Sequence, residues 1–187
     1  AGRYWSDFSG FDLVRGQERD KFITDTTVEP WIPAPCYADG TGADIGPHLK
    51  NVVAIRNDER DWFSPQVFQR ATRWVEHNAS HKDFFLMIDS FDPHEPWDPP
   101  EEYTNLYGDP EYDGPEFITP KYVPVEGNYT KEEFDHAMAM YAGEITMVDR
   151  WFGRLLEKIE TMGLLKDTMI VFTTDHGTMA GDKGWSG

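Results

Sequence analysis

Two apolar runs joined by a long amphipathic helix constrain the fold of this chain more than any other feature. The first run is Phe84–Ile88, and the second lies in "TMIVFTT", residues 168–174. Both have the unbroken apolar character of strands that are buried on both faces. Strand, loop, long helix and strand form a crossover unit, so we expect parallel strands and a right-handed connection. We therefore predict an α/β fold, with part of a mixed, largely parallel sheet flanked by helices.

The long helix has clear start and stop signals. A capping box, "TKEE" at 130–133, precedes it, and Gly163 can end it. Nine apolar residues recur by alternating fours and threes, which predicts one stripe packed on the sheet. They are Phe134, Met138, Tyr141, Ile145, Val148, Phe152, Leu155, Ile159 and Met162.

The segment before the first strand is less regular. Residues 1–50 show little periodicity, and 51–55, "NVVAI", could be a short strand or the start of a helix. Ser64 followed by a proline predicts a helix with Ser64 as N-cap, running to about Asn78. The long loop at 91–129 is of the kind that is usually functional or covers something.

Composition excludes several function classes. The chain has 187 residues and a formal net charge of -17, so binding to duplex nucleic acid is not expected. No run of about 18 apolar residues exists, which predicts no membrane-spanning helix. Its one cysteine, Cys36, lies in a proline-rich loop and is more consistent with an incidental thiol than with a nucleophile.

Polar side chains follow both predicted strands at their carboxyl ends. Ligands collect at this edge of α/β sheets, so we expect the segments bearing His94 and His176 to meet there. Asp175 and His176 offer an oxygen and a nitrogen to a divalent metal, and Gly177 permits the necessary bend. A carboxylate that caps a turn beside a solvated histidine is the alternative from spacing alone.

Two further residues are candidates for substrate chemistry. His94 lies between prolines in "DPHEP", which can position an imidazole for acid–base work. Lys183 is the cation of the last loop and could reach an anion near Asp175. The alternatives are an exposed loop histidine and a solvated lysine.

Five segments together resemble the sulfatase family of the alkaline phosphatase superfamily. "FFLMIDSFDPHEPWDPP" is similar to its strand and His-x-Pro loop, and "MIVFTTDHGTMAGDKG" to its metal-binding segment. "YAGEITMVDRWFGRLLEKIETMGLLKDT" is similar to the helix between them, "FDLVRGQERD" to the stretch around Arg-Gly-Gln-Glu, and "IRNDERDWFSPQVFQRATRWVEHN" to the helix that follows it.

The resemblance implies a fold, a reaction and residue roles. It implies the sulfatase-type mixed sheet and hydrolysis of sulfate monoesters by a formylglycine nucleophile with a divalent metal, commonly calcium. Asp175 and His176 would be metal ligands. His94 would contact the sulfate or protonate the leaving oxygen, and Lys183, where many members have His, would bind substrate.

Departures from the family pattern also carry expectations. The chain lacks the Cys/Ser-x-Pro-x-Arg sequence from which the nucleophile is made, since Cys36 is followed by "YAD". We therefore expect residues 1–187 to be one partial catalytic domain, a central fragment without the nucleophile segment and the C-terminal part. Alone it should not turn over a sulfate ester.

Two other functions stay open at this point. One is phosphodiester or phosphonate monoester hydrolysis within the same superfamily, with Mn²⁺ or Zn²⁺. The other is a truncated, non-catalytic binding module. The expected partners are a small-molecule or glycan sulfate ester and the remaining segments of the parent chain. Sulfatases are often exported, and we expect export of this protein only if it follows them.

Overall fold

Helices account for the regular secondary structure of the described part of the chain. The structure is a computed structural model that describes residues 7–30, 45–80 and 83–186. Cys36 and the prediction made for it lie outside these ranges. The four α-helices are α1 (Gly46–Ile55), α2 (Phe63–Asn78), α3 (Glu101–Thr104) and α4 (Lys131–Thr161). Three short 3-10 turns lie at Glu59–Asp61, Leu165–Asp167 and Asp182–Gly184.

Residues 51–55, for which the sequence allowed a short strand or the start of a helix, form the second half of α1. A proline near the N-terminus fits, since its missing N–H is one that the first turn leaves free anyway. The helix buries His48, Leu49 and Asn51 on one side. Two of these three side chains are polar, so α1 contributes to a buried hydrogen-bond network as well as to the core.

The predicted N-cap of α2 is wrong by two positions, whereas the predicted end at Asn78 is confirmed. Trp62 is the N-cap, and Ser64 is the second residue of the helix. The physical reason is that the Ser64 amide donates to the Asp92 carboxylate at 3.0 Å, so a distant side chain caps this turn. The Ser64 hydroxyl instead accepts a hydrogen bond from the Ser90 hydroxyl at 3.0 Å.

The capping box of α4 is confirmed, but its buried face is not the predicted stripe. The Thr130 hydroxyl accepts from the Glu133 amide, and the Glu133 carboxylate accepts from the Thr130 amide. The buried residues are Ala137, Ala139, Met140, Gly143, Glu144, Met147, Trp151, Leu155 and Ile159. Only the last two of these belong to the predicted stripe, and Ile145 is 43% exposed. The helix is apolar on two sides, and α2 and α3 both pack against it.

Two clusters of buried side chains form the core. In the first, Phe68, Ala71 and Val75 of α2 pack against Met147 and Leu155 of α4. The second joins α1 and α4 through the long loop, with these buried members: Ile45, Leu49, Trp97, Phe117, Ile118, Ala137 and Met140. The loop at 91–129 is therefore packed into the protein.

The predicted sheet is not confirmed, because the described residues contain no strand. Their only β-pairing is one isolated antiparallel bridge between Pro124 and Trp185. Phe84–Ile88 alternates between half-buried and exposed residues, with Phe85 at 75% and Met87 at 64% exposure. Val171 and Phe172 in the second run are also exposed. An apolar segment becomes a strand only where a neighbouring strand pairs with its backbone, and these two segments do not pair with each other.

In the described ranges, none of the helices is both long enough and apolar enough to cross a membrane.

Candidate functional site

Hydrogen bonds and ring contacts between its own residues hold the loop that carries His94 in place. The His94 amide donates to the Phe91 carbonyl at 3.0 Å, and the two rings pack with centroids 4.5 Å apart. Buried Trp97 anchors the far end of the loop, because its indole N–H donates to the Pro93 carbonyl at 3.1 Å and its amide donates to Ile118 at 2.6 Å. The histidine therefore lies on a well-anchored turn.

Asp92 ties this turn to two distant segments. Its buried carboxylate accepts from the Gln17 side-chain amide at 2.6 Å and from the Ser64 amide at 3.0 Å. Burial, together with the nearby charge of Asp98, raises the pKa of the Asp92 carboxyl. The Arg-Gly-Gln-Glu stretch and the His-x-Pro loop, which the sequence resemblance picked out separately, are thus joined by one side-chain hydrogen bond.

The hydrogen-bond partners of His94 fix its tautomer. Nδ1 lies 2.8 Å from the Glu95 carbonyl oxygen and 3.3 Å from the Glu95 carboxylate oxygen Oε2. Both partners can only accept, so Nδ1 carries the proton. The other nitrogen, Nε2, forms no hydrogen bond in the part of the chain that the structure describes. It is available to exchange a proton with a ligand.

Asp175 and His176 form an exposed pair with a similar local arrangement. The His176 amide donates to Asp175 Oδ1 at 2.9 Å, and Nδ1 of His176 lies 3.1 Å from the Gly177 carbonyl oxygen. Asp175 Oδ2 and His176 Nε2 therefore remain as the free donor atoms. They lie 3.8 Å apart, and the two side chains are 89% and 67% exposed.

These two atoms fit a shared divalent ion in chemistry and in spacing. Ligands at about 2.1–2.4 Å from one ion lie roughly 3–4 Å from each other at ordinary coordination angles. Two ligands do not complete a site. Within residues 7–30, 45–80 and 83–186, no group of three or more His, Cys, Asp or Glu side chains could hold a metal. A metal bound by this pair would need further ligands from outside these ranges.

The structure brings two of the four predicted site residues together across the loop. The His94 and His176 rings meet edge to face, with centroids 6.2 Å apart and an interplanar angle of 73°. The expectation that the two histidine-bearing segments meet is thus confirmed as a placement. The two segments meet although the described residues form no sheet, because the anchored turn of His94 reaches the segment that follows Thr174.

Within the described ranges, no hydrogen bond or ion pair joins Lys183 to Asp175, His176 or His94. With Tyr122, Met179, Trp185 and Ser186 it lines a shallow cavity of about 260 Å³. Among the described residues it forms no ion pair. The cavity adjoins the His94 loop through Tyr122, whose hydroxyl donates to Glu95.

A buried polar network behind the His94 loop escaped the sequence analysis. Asp98 accepts from Arg56 at 2.7 Å and from His48 at 2.9 Å, and its amide donates to Glu144 at 3.0 Å. Because His48 Nδ1 accepts from the Glu18 amide at 3.1 Å, Nε2 of His48 donates to Asp98. No sequence signal pointed to it, because Glu144 lies outside the predicted apolar stripe of α4 although the structure buries it.

The charges in this network shift two pKa values in opposite directions. Burial and the charges of Asp92 and Asp98 raise the pKa of Glu144 well above its ordinary value. For Asp98, burial opposes ionisation, but Arg56 and His48 outweigh it and lower the pKa. The network therefore favours the ionised form of Asp98 and the protonated form of Glu144.

Comparison with known proteins identifies the family. The model of the family described as Sulfatase matches residues 4–186. An arylsulfatase of Clostridium perfringens is 35% identical over 163 residues, covering 74% of this chain and 34% of the relative. An endo-4-O-sulfatase of Bacteroides thetaiotaomicron is 30% identical over 139 residues, covering 70% and 26%. A choline-sulfatase of Rhizobium meliloti is 25% identical over 161 residues, covering 77% and 30%.

The chain therefore spans about a third or less of the length of these curated relatives. The family match covers nearly the whole chain and includes both histidine-bearing segments. The chain belongs to the sulfatase family, a family of sulfuric ester hydrolases.

Proposed function

We propose that the protein to which this chain belongs is a divalent-metal-dependent sulfatase that hydrolyses sulfate monoesters through a formylglycine nucleophile. The observation that carries the proposal is the meeting of His94 and His176, each with Nε2 free, on segments of a sulfatase-family chain. The Cys/Ser-x-Pro-x-Arg sequence that supplies the nucleophile does not occur in these residues. The proposal therefore requires that this sequence lie in another part of the protein.

Asp175 and His176 are the residues that would hold the metal, through Oδ2 and Nε2. The metal, when bound, offsets the negative charge of the sulfate on a protein whose formal net charge is -17. Family habit favours Ca²⁺, whereas an imidazole ligand also suits Mn²⁺ or Zn²⁺. The experiment below therefore compares the three ions.

His94 is the proposed general acid. As the bond between sulfur and the ester oxygen breaks, the leaving oxygen takes a proton from Nε2, and an oxygen from water ends on the sulfate. A sulfate monoester and water thus give an alcohol and hydrogen sulfate. The Nδ1 proton stays on Nδ1, hydrogen-bonded to its acceptors, so the ring needs no rotation between accepting and giving the Nε2 proton.

The substrate class is a sulfate ester of a small molecule or of a glycan. Exposed Phe91 beside His94 and the cavity with Lys183 and Trp185 offer two aromatic faces and one cation near the site. Such a combination suits an organic group attached to an anion. We propose Lys183 as a substrate-binding residue on this ground.

Activity and metal dependence can be tested together in the full-length protein. We expect it to hydrolyse 4-nitrophenyl sulfate after addition of Ca²⁺, Mn²⁺ or Zn²⁺ to the metal-free enzyme. His94→Asn and Asp175→Asn should each lower kcat/KM by about 10²–10⁴-fold. His77→Asn and Asp167→Asn, at exposed positions outside the site, serve as matched controls and should retain activity.

Other outcomes assign other functions. Turnover of a 4-nitrophenyl phosphodiester or phosphonate monoester, with none of the sulfate, would place the protein in the phosphoryl-transfer branch of the superfamily. A full-length protein that binds none of the three ions and turns over neither ester class would be a non-catalytic binding module.

A further inference from the structure

We propose that Glu95 and Tyr122 are positioning residues that hold the His94 ring for its role as general acid. The proposal rests on the proposed function and adds two residues to it. Glu95 contacts His94 with one carboxylate oxygen, Oε2 at 3.3 Å from Nδ1, and accepts from the Tyr122 hydroxyl with the other. His94, Glu95 and Tyr122 therefore form one continuous line of contacts.

The carboxylate of Glu95 is well placed for this task. Its side chain is only 16% exposed, so its contact with the histidine is less weakened by water than a surface ion pair is. A carboxylate on one ring nitrogen holds the imidazole in one orientation and stabilises its protonated form, which leaves Nε2 as the donor. The Glu95 carbonyl also accepts from Nδ1, which fixes the same tautomer a second time.

Tyr122 is itself held from the opposite side. Ser186 donates its amide to the Val123 carbonyl at 3.0 Å and its hydroxyl to the Lys121 carbonyl, so the backbone on both sides of Tyr122 is tied to residue 186. The Lys121 amide donates to the Tyr129 hydroxyl at 2.6 Å. The Tyr122 hydroxyl thus reaches Glu95 from a fixed backbone, whereas its ring lines the Lys183 cavity.

The surroundings of Tyr122 favour its role as the donor in the hydrogen bond to Glu95. Burial, the hydrogen bond to Glu95 and the charges of Glu95 and Glu18 raise the pKa of the Tyr122 hydroxyl. It therefore remains a donor at neutral pH, in agreement with the hydrogen bond that it donates to Glu95. Tyr122 is 60% exposed, so water can hydrate its hydroxyl without a protein partner. Its hydrogen bond to Glu95 is therefore not needed to satisfy the tyrosine, and we infer that the bond serves to hold His94.

The experiment uses Glu95→Gln, Tyr122→Phe and the double variant in the full-length, metal-loaded enzyme. We expect each single variant to lower kcat for an alkyl sulfate by about 10–100-fold with little change in KM. The loss should be several-fold smaller for 4-nitrophenyl sulfate, whose leaving group needs less protonation. The double variant should lose little more than either single one, because both act through the same contact.

Tyr107→Phe and Glu111→Gln are the matched controls. Tyr107 is 55% exposed, and its hydroxyl bonds to Thr146 away from the site, while Glu111 is exposed. Both should keep wild-type kcat on both substrates. A purely structural role for Glu95 and Tyr122 would lower kcat equally for the two leaving groups, and that result overturns the proposal.

A spectroscopic measurement separates this proposal from the proposed function. In the wild type we expect a downfield Nδ1–H proton resonance for His94, moved upfield in Glu95→Gln and in Tyr122→Phe. If the wild type is active and this resonance is the same in all three proteins, positioning is wrong and the sulfatase function stands. If the wild type hydrolyses no sulfate ester, the proposed function fails, and the resonance alone decides whether Glu95 and Tyr122 hold the ring.

Discussion

His94 and His176 each direct Nδ1 to the carbonyl oxygen of the residue that follows, and their rings meet with centroids 6.2 Å apart. The two residues are 82 positions apart in the sequence, yet the same local hydrogen bond leaves the same nitrogen, Nε2, free on both. Two free imidazole nitrogens on adjacent rings can serve different tasks, because only His176 has a carboxylate, Asp175 Oδ2, beside its Nε2. Under the proposed function, this arrangement would separate a metal ligand, His176, from a proton donor, His94.

This separation predicts that metal affinity depends on His176 and is insensitive to His94. We expect His176→Ala to weaken binding of Ca²⁺ or Mn²⁺ to the full-length protein by at least about 10-fold, because an imidazole ligand is lost. His94→Ala should change the Kd by less than about 3-fold. Isothermal titration of the metal-free protein measures both. Equal weakening by the two variants would mean that His94 is a ligand too.

A second prediction concerns two glycines of α4. At Gly143 an added Cβ would lie 3.1 Å from Pro99 Cγ and from backbone atoms of Tyr103 and Thr104, whereas at Gly153 it would meet nothing within 4 Å. Alanine at an open helix position stabilises by about 0.5–1 kcal/mol. At Gly143 the clash with backbone outweighs that gain, and we expect a loss of about 1–3 kcal/mol.

Chemical denaturation of Gly143→Ala and Gly153→Ala in the full-length protein gives both values. Because the two substitutions are identical and lie on the same helix, helix propensity cancels in their difference. Gly143→Ala should be the less stable of the two. Equal stability would show that α3 does not pack on α4 as closely as the structure indicates.

Local signals in the sequence predicted the existence of α2 and α4 well, left α1 open, missed α3 and predicted the buried face of α4 poorly. The capping box at Thr130 and the end of α2 at Asn78 depend on neighbouring residues alone, and both were correct. The face of α4 depends on which partner covers a helix that is apolar on two sides. Ser64 was misassigned for a related reason, because the Asp92 carboxylate that caps its amide lies 28 residues away.

In the candidate site, too, residues with a local sequence signal were predicted, whereas residues brought together by tertiary packing were missed. His94 and Asp175–His176 stand out in sequence because they follow apolar runs, and the structure places the two histidines together. Glu95 and Tyr122 carry no such signal, since their contact joins two loop segments whose approach is set by tertiary packing. The sheet remains a prediction for a physical reason as well: pairing partners for the two apolar runs are not found among the described residues.

A third prediction tests Asp92 as the link between segments. Both of its carboxylate oxygens accept from N–H donors, on Gln17 and on the Ser64 backbone. An amide in its place must turn its own N–H₂ toward one of these donors. We therefore expect Asp92→Asn to lower the free energy of unfolding by about 1–3 kcal/mol. Asp89→Asn, at an exposed position three residues earlier, should change it by less than about 0.5 kcal/mol.

Urea denaturation of the two asparagine variants, side by side, measures this difference. If Asp92→Asn is as stable as the wild type, the carboxylate is not an acceptor for both donors. The link between the Arg-Gly-Gln-Glu stretch and the His94 loop would then have to be carried by other contacts.

The last prediction concerns pH and Glu144. Burial and the charges of Asp92 and Asp98 raise the pKa of this carboxyl well above its ordinary value. In the unfolded chain Glu144 loses its proton near the ordinary pKa of about 4.3. Between that value and the raised folded pKa, the folded state holds one more proton than the unfolded state. The free energy of unfolding must therefore fall as pH rises across this interval.

Glu144→Gln removes this contribution, because glutamine can still accept from the Asp98 amide but does not ionise. The variant should gain stability relative to the wild type as pH rises above about 4.3, across the interval below the raised folded pKa. The slope of the difference is at most about 1.4 kcal/mol per pH unit. Asp92 and Glu144 influence each other's ionisation, so the pH dependence of the difference reports the pair and not Glu144 alone. Glu157→Gln, exposed on the same helix, should not alter the slope. Thermal unfolding of the three proteins at several pH values measures the effect, and a difference that stays constant with pH would show that Glu144 is ionised in the folded protein.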